Sequence, residues 1–326
     1  MRFVLMTEPQ QGLTYAEQLA LARSAEANGF EAFFRSDHYQ SFPGPSGEPT
    51  TDAWTVLAGL ARETDRINLG VLVSPVTFRA PGTFAKIVTT VDEMSGGRVE
   101  VGVGAGWNEE EHRQLGLPFP PIGERVDMLE DQLAALHGLW GEPDGWSMEG
   151  HRVTIEDARF QPKPVQVPGR PVTAAGGVRA RIIVGGHGAP RSLRLTARYA
   201  DEFNISSAGP DKAADAFARL DEACQAIGRD PSTVTRSAMI GVLVGRTEDE
   251  VRDRERALLA AFGEDEGGEE WLEERRTRWI VGTPDEARAA VERFAAVGVE
   301  RIMLQDFLPR DLGMVDVIGE ELVGRV

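Results

Sequence analysis

Short apolar runs alternate along this chain with longer stretches whose apolar residues return every three or four positions. The first run covers residues 2–6. YAEQLALARSAEAN follows over 15–28, with Leu19, Ala22 and Ala25 on one helical face, Thr14 placed to cap it and Gly29 to end it. A second run, EAFFRS at 31–36, precedes a Pro/Gly-rich loop over 40–51 and a helix over 52–63. Runs at 67–73 and 98–103 bracket a helix at 81–94. After a proline-rich loop, the spacing of Val126, Leu129, Leu133 and Leu136 predicts a long amphipathic helix over 122–139. The rhythm lapses between 140 and 180, where EGHRVTIEDARF reads as a small hairpin and QPKPVQVPGRP as an extended connector. It resumes with strands at 182–184, 202–206, 234–244 and 301–306, separated by helices at 190–199, 212–227, 248–262 and 284–297.

The pattern holds eight strand candidates, starting near residues 2, 31, 67, 98, 182, 202, 234 and 301. Helices separate them, and the connections are long enough for parallel crossovers. The expected fold is α/β: a single (β/α)8 TIM barrel spanning 1–326, with an insertion around residues 140–180. The alternative is a doubly wound open sheet. It is disfavoured because the first strand–helix turn, TEPQQGLT, carries no dinucleotide glycine fingerprint.

Composition narrows the classes of partner. A net charge of −17 with no local Lys/Arg cluster argues against nucleic acid. No run is long and apolar enough for a membrane helix, and the N-terminal apolar stretch is too short for a signal peptide. A single cysteine, Cys224, rules out an internal disulfide and points to a cytoplasmic setting; its helical context reads as a structural thiol. The five histidines show no zinc-ligand spacing, so no metal is expected. The acidic run over 264–274 reads as a solvated loop and helix start, and Asp92, Glu93 and Arg98 are placed to pair across a Ser-Gly-Gly turn.

In a barrel, chemistry gathers at the carboxyl ends of the strands. Asp37 and His38 fall just after the second strand, where an imidazole beside a carboxylate suits proton transfer. The alternative is that Asp37 caps a turn and His38 only bonds a loop. Leu72-Val73-Ser74-Pro75 ends the third strand, and proline there stops the ladder. Gly102, Gly104 and Gly106 end the fourth, leaving backbone open to a planar ligand, although glycine-rich barrel loops are common. Gly185-Gly186-His187-Gly188 precedes a helix opened by Pro190, an arrangement suited to an anion, with Arg191 available for a charge-assisted contact. A glycine turn and nothing more remains open there.

Four segments together resemble the luciferase-like monooxygenase superfamily, and within it the branch of coenzyme F-420 (deazaflavin) dependent oxidoreductases. They are FRSDHY (34–39), LGVLVSPVTFRAPGTFAK (69–86), DEMSGGRVEVGVGAGWNEEEH (92–112) and IVGGHGAPRSLRLTARYADEFN (183–204). The resemblance implies a (β/α)8 barrel that binds a flavin-like ring at the carboxyl face. By that resemblance Asp37 contacts the ring system, and His38 faces the reaction centre with Asp37 fixing its setting. A non-prolyl cis bond falls at Leu72-Val73, beside Ser74, behind the ring. Gly104, Ala105 and Gly106, with Trp107 next to them, line its other edge, and the segment 186–191 holds a tail phosphate, with Gly185 just before it. Sugar-phosphate dehydrogenases of that branch have a glutamate where Trp107 stands, so their acid role does not carry over.

The implied activity is hydride transfer between coenzyme F-420 and a small organic substrate. An FMN-dependent two-component monooxygenase is the alternative enzyme, and a non-catalytic flavin-binding barrel the alternative of another class. A homodimer is expected from the resemblance alone.

Overall fold

The computed structural model describes residues 1–44, 47–172, 176–263 and 268–326, and of residue 269 the backbone alone. The first half of the molecule runs β1 (Arg2–Thr7), α1 (Tyr15–Ala27), β2 (Ala32–Arg35), α2 (Ala53–Glu63), β3 (Asn68–Pro75), α3 (Pro81–Ser95) and β4 (Val99–Gly104). Then come α4 (Glu109–Leu115), α5 (Ile122–Gly141) and an antiparallel hairpin of β5 (Trp146–Glu149) and β6 (Thr154–Ala158). The second half runs β7 (Arg181–Gly186), α6 (Pro190–Tyr199), β8 (Glu202–Ser206), α7 (Pro210–Gln225), β9 (Thr235–Val244), α8 (Glu248–Phe262) and α9 (Gly268–Arg276). It ends with β10 (Ile280–Gly282), α10 (Pro284–Ala296), β11 (Arg301–Asp306) and α11 (Leu312–Glu321). Parallel ladders join β1, β2, β3, β4, β7, β8, β9 and β11, and β11 returns to β1 from Arg2↔Arg301 to Thr7↔Asp306. The sheet is therefore closed, and the open-sheet alternative falls. The hairpin lies inside the expected 140–180 insertion.

Period-two alternation explains the two layers of core. On β1, Phe3 and Leu5 face the helices, whereas Val4 and Met6 point into the barrel with Ala32, Phe34, Leu72, Ile183 and Met303. Phe34 needs a bare neighbour: a Cβ on Gly70 would come within 2.4 Å of its ring. Helix starts follow local chemistry. Thr14 and Glu17 form a reciprocal capping box on α1, and α3 opens with Pro81 and ends at Gly96 with φ +70°.

The amino end of the barrel is filled by charge. Arg301, fully buried, gives paired hydrogen bonds to Glu100 at 2.7 and 3.0 Å and another to Glu202 at 3.0 Å, and its Nε lies 2.9 Å from Glu31. The carboxylates hold the guanidinium ionised despite burial. Asp92 does not pair with Arg98. Its partner is Arg170 of the proline-rich connector at 2.8 Å, while Arg98 donates to the carbonyls of Ala61, Thr64, Ile67 and Ser95. A buried carboxylate next to a long connector thus ties down that connector. Cys224 is fully buried, and burial pushes its thiol up.

Three elements lie outside the periodic reading: α4, β10 and α11. Each is short, and α4 and α11 start from side-chain caps, Asn108 and Asp311, that read equally well as turn residues. Of the acidic run, residues 264–267 lie outside the described residues, and the remainder forms α9.

Removing the cation from the barrel base leaves the buried Glu100 with only an Asn68 hydrogen bond at 3.0 Å, and Glu202 with Arg181 alone at 3.2 Å. Arg301→Met is expected to lower unfolding free energy by about 3–5 kcal/mol in urea titrations, with Glu100→Gln in the same chain recovering part of the loss. At the other end of β11, Asp306 is fully buried; its Oδ1 accepts from Leu308 N–H at 2.8 Å, and its Oδ2 has no partner among the described residues. Burial pushes this carboxyl up to about 7 from 3.8, against the opposing Leu308 hydrogen bond. The folded state therefore holds the proton more tightly than the unfolded chain. Its contribution to stability is fully present below about pH 4 and lost as pH rises to about 7. Asp306→Asn should gain on the wild type across that window by roughly 2–4 kcal/mol and stay level above it, as read from denaturation at stepped pH.

Candidate active site

The carboxyl ends of β2, β3, β4 and β7 lie side by side, and the chain's bare backbone gathers there. In the β3–β4 ladder, Val71 pairs with Val101 and Ser74 with Val103, so Leu72 and Val73 together face the single Gly102. The Leu72–Val73 peptide is cis, and Ser74–Pro75 is not. This bulge lays the Val73 side chain over two glycines: a Cβ on Gly104 or on Gly185 would lie 2.7 Å from a Val73 methyl. Gly104 and Gly185 are thus required by Val73 itself. Gly106, at φ +79°, sits against Thr77 and Pro75, and Ala105 beside it is half-buried. Trp107 is 67% exposed at the rim.

Asp37 and His38 leave β2 in different company. The Asp37 carboxylate is buried and accepts from Arg79 at 2.5 and 3.2 Å and from Ser74 Oγ at 2.9 Å; Trp54 Nε1 in turn donates to Ser74 Oγ at 2.9 Å. Arg79 Nη2 also donates to Asp52 at 2.5 Å and to the Tyr39 hydroxyl at 2.8 Å. Burial raises the Tyr39 phenol above its ordinary range, so it stays protonated and donates to Asp52 at 2.7 Å. Burial opposes ionisation of Asp52, but the Tyr39 and Thr55 hydrogen bonds and the Arg79 charge outweigh it and hold this carboxyl far below its usual value.

The expected Asp37–His38 pairing is therefore corrected, because Arg79 and Ser74 saturate Asp37. The partner of His38 is Glu111 on α4, whose carboxylate lies 3.0 and 3.2 Å from Nδ1 and accepts the Tyr39 N–H at 3.1 Å. Glu111 is 1% exposed. An ionised carboxylate only accepts, so Nδ1 is the donor in this contact, and in the neutral ring the lone pair falls on Nε2. Nε2 has no partner among the described residues, and the ring packs edge-on to Phe42 at 4.5 Å and Trp107 at 5.6 Å between centroids.

Glu111 was not among the residues picked from the sequence, although a signal for it was there. Asn108 followed by three glutamates is a helix start: its side chain accepts from Glu110 N and Glu111 N, and acidic residues suit the positive helix end. His112, on the same helix, bonds Thr77 Oγ1 and the Asn108 carbonyl, each at 2.6 Å, and is wholly buried. It anchors α4 to the loop after β3.

At the end of β7, a Cβ on Gly186 would meet only Ser192 Oγ at 3.9 Å, His187 is exposed and Gly188 takes φ +77°. The N-cap of α6, Ala189, has no side-chain hydrogen bond to the first turn. Arg191 is turned away: it pairs with Asp127 and Glu130 on α5 and donates to the Gly123 carbonyl at 3.2 Å. The expected contribution of Arg191 to a phosphate site is corrected on that ground. The cation beside this turn is Arg219 of α7, whose Nη2 lies 3.3 Å from where a Gly188 Cβ would stand.

An F420-dependent glucose-6-phosphate dehydrogenase of Microbacterium testaceum is 28% identical over 322 residues, covering 93% of this chain and 90% of that protein. A pyrimidine monooxygenase of Escherichia coli is 27% identical over 301 residues, covering 89% and 77%. The solved structure of an F420-dependent secondary alcohol dehydrogenase with an F420–acetone adduct superposes with a TM-score of 0.80 at 19% identity, over 99% of this chain and 98% of that one, a likeness of fold. A luciferase-like monooxygenase family model matches residues 1–301, nearly the whole closed barrel and every residue of the β2–β7 site, and the chain belongs to that family.

Proposed function

We propose that this barrel is an oxidoreductase that moves a hydride between deazaflavin coenzyme F-420 and a small organic substrate. The observation that carries the reading is the His38–Glu111 pair: an imidazole at the strand ends with one nitrogen held by a buried carboxylate and the other without a protein partner. Hydride exchange between an alcohol and a carbonyl needs a proton moved at the oxygen, and this pair is built to move one. Likeness to the Microbacterium testaceum dehydrogenase along nearly the full chain supports the choice of cofactor.

The residues present fit a flat ring and its tail. Val73 on its glycines and the 104–106 backbone offer walls without bulky side chains, with Trp107 at the rim. The 186–188 turn and the first turn of α6 offer backbone N–H groups to a phosphate, with Arg219 beside them. When bound, the deazaflavin supplies the two-electron carrier. His38 Nε2 accepts the hydroxyl proton of an alcohol substrate, or returns it to the carbonyl oxygen in reverse. Glu111 keeps the ring in the Nδ1–H tautomer and stabilises the imidazolium that forms. Asp37 and Arg79 hold the strand exit that carries His38.

A second reading, an FMN-dependent monooxygenase, is favoured by the likeness to the Escherichia coli pyrimidine monooxygenase. Titration with each cofactor, followed in the visible spectrum, separates the two. The expected result is tight F-420 binding with FMN at least about tenfold weaker. Tighter FMN binding together with oxygen uptake by the reduced complex would establish the second reading instead. In single-turnover hydride transfer, His38→Asn should slow the reaction by about 10²–10⁴ with cofactor affinity unchanged. Glu111→Gln should slow it by about 10–100-fold and displace its pH profile.

A further inference from the structure

Of the six tryptophans, five are buried or half-buried in the fold, whereas Trp107 is 67% exposed. A single exposed aromatic side chain needs no explanation by itself. Three further observations give this one a role. The first is the strap that carries it, which is fixed on both sides. Gly106, at φ +79°, lies against Thr77 and Pro75. Asn108 caps α4 by accepting from Glu110 N and Glu111 N, and its Nδ2 donates to Gln40 at 3.3 Å. The indole therefore projects into solvent from backbone that is already in place, which lowers the ordering cost of packing a ligand on it.

The second observation is its neighbours. The indole meets the His38 ring edge-on at 5.6 Å and the Phe42 ring at 5.3 Å, so the exposed aromatic surface adjoins the imidazole whose Nε2 has no protein partner among the described residues. The third is charge. The residues after Trp107 bring Glu109 and Glu110, both exposed, and the buried Glu111, against one arginine on the same helix, Arg113, which faces Glu110 at 3.8 Å. Arg79 is already held by Asp37 and Asp52. An anion approaching the indole meets carboxylates, and like charges disfavour it there.

We propose that Trp107 selects the substrate, its exposed indole packing the ring of an uncharged aromatic alcohol, or of the matching aldehyde or ketone, with the reacting oxygen turned to His38 Nε2. The reach fits this class. Aromatic rings pair at centroid separations of about 4.5–7 Å, and the imidazole is 5.6 Å from the indole. The oxygen therefore belongs on the first or second atom outside the substrate's ring. The assignment rests on the reading of His38 given above. In the alcohol direction the carbinol hydrogen leaves as hydride to the oxidised deazaflavin, the hydroxyl proton goes to Nε2, and the carbon–oxygen bond becomes a carbonyl.

The test is calorimetric titration with benzyl alcohol, cyclohexylmethanol and benzyl phosphate, on the full chain alone and again saturated with whichever of F-420 or FMN it binds. Benzyl alcohol is expected to bind about 2- to 10-fold more tightly than cyclohexylmethanol, which matches its bulk without the aromatic faces. It should bind at least about tenfold more tightly than benzyl phosphate. Trp107→Ala should weaken benzyl alcohol at least about tenfold and erase its preference over cyclohexylmethanol, whereas Trp107→Phe should stay within about threefold of the wild type. Both variants should keep the wild-type thermal midpoint, because the side chain is exposed. No benzyl alcohol binding in any state tested, equal or tighter binding of the phosphate, or binding indifferent to Trp107→Ala would overturn the proposal. So would a loss of cofactor affinity in Trp107→Ala with the probes unaffected, which makes the indole a wall of the cofactor slot. A fall from dimer to monomer in that variant would overturn it too, placing the indole between copies of the chain. The titration on the chain alone involves no cofactor, so its failure is separate from failure of the F-420 titration.

Discussion

Closure of the sheet is the constraint on which everything else in this molecule depends. Once β11 pairs with β1, the barrel has an inside that must be filled at every level and polar groups that must find partners there. At the amino end the chain does this with Arg301 among Glu100, Glu202 and Glu31. In the middle it uses Phe34 over Gly70 and a layer of Val, Met and Ile side chains. Towards the carboxyl end the filling thins to Val73 lying on Gly104 and Gly185. The candidate site is this last layer, where side chains give way to backbone.

The proposed function draws on what is brought to that layer from outside the strands. His38 follows β2, but the carboxylate that orients it arrives on α4, a helix after β4. Asp37 serves the scaffold: through Arg79 it is joined to Asp52, the N-cap of α2, and through Ser74 to the exit of β3. Two acidic residues that look interchangeable in sequence have different tasks because one meets a guanidinium and the other an imidazole.

Much of the fold was legible because its signals are local. The apolar runs over 2–6 and 31–36, and the three-four spacing of Leu129, Leu133 and Leu136, reflect burial that every barrel strand and covering helix must satisfy. All eight barrel strands begin within one residue of where that pattern places them. The glycine exits and the Leu72–Val73 bond were also marked, the latter by family resemblance and not by any property of two apolar residues. What escaped were pairings between distant residues: Glu111 with His38, Arg170 with Asp92, and Arg191 with Asp127. Nothing in the side chain of Arg191 says whether it will face a ligand or α5; only the packing of α6 on α5 decides it.

Arg79 touches the chain at both ends of the excursion between β2 and α2: Asp37 and Tyr39 where it departs, Asp52 where it returns. Of the span between these posts, Pro43 and Glu48 line a cleft beside α8 and Phe42 packs on the His38 ring. The imidazole is thereby braced from two directions, by Glu111 arriving on α4 and by Phe42 on a span whose feet Arg79 fixes.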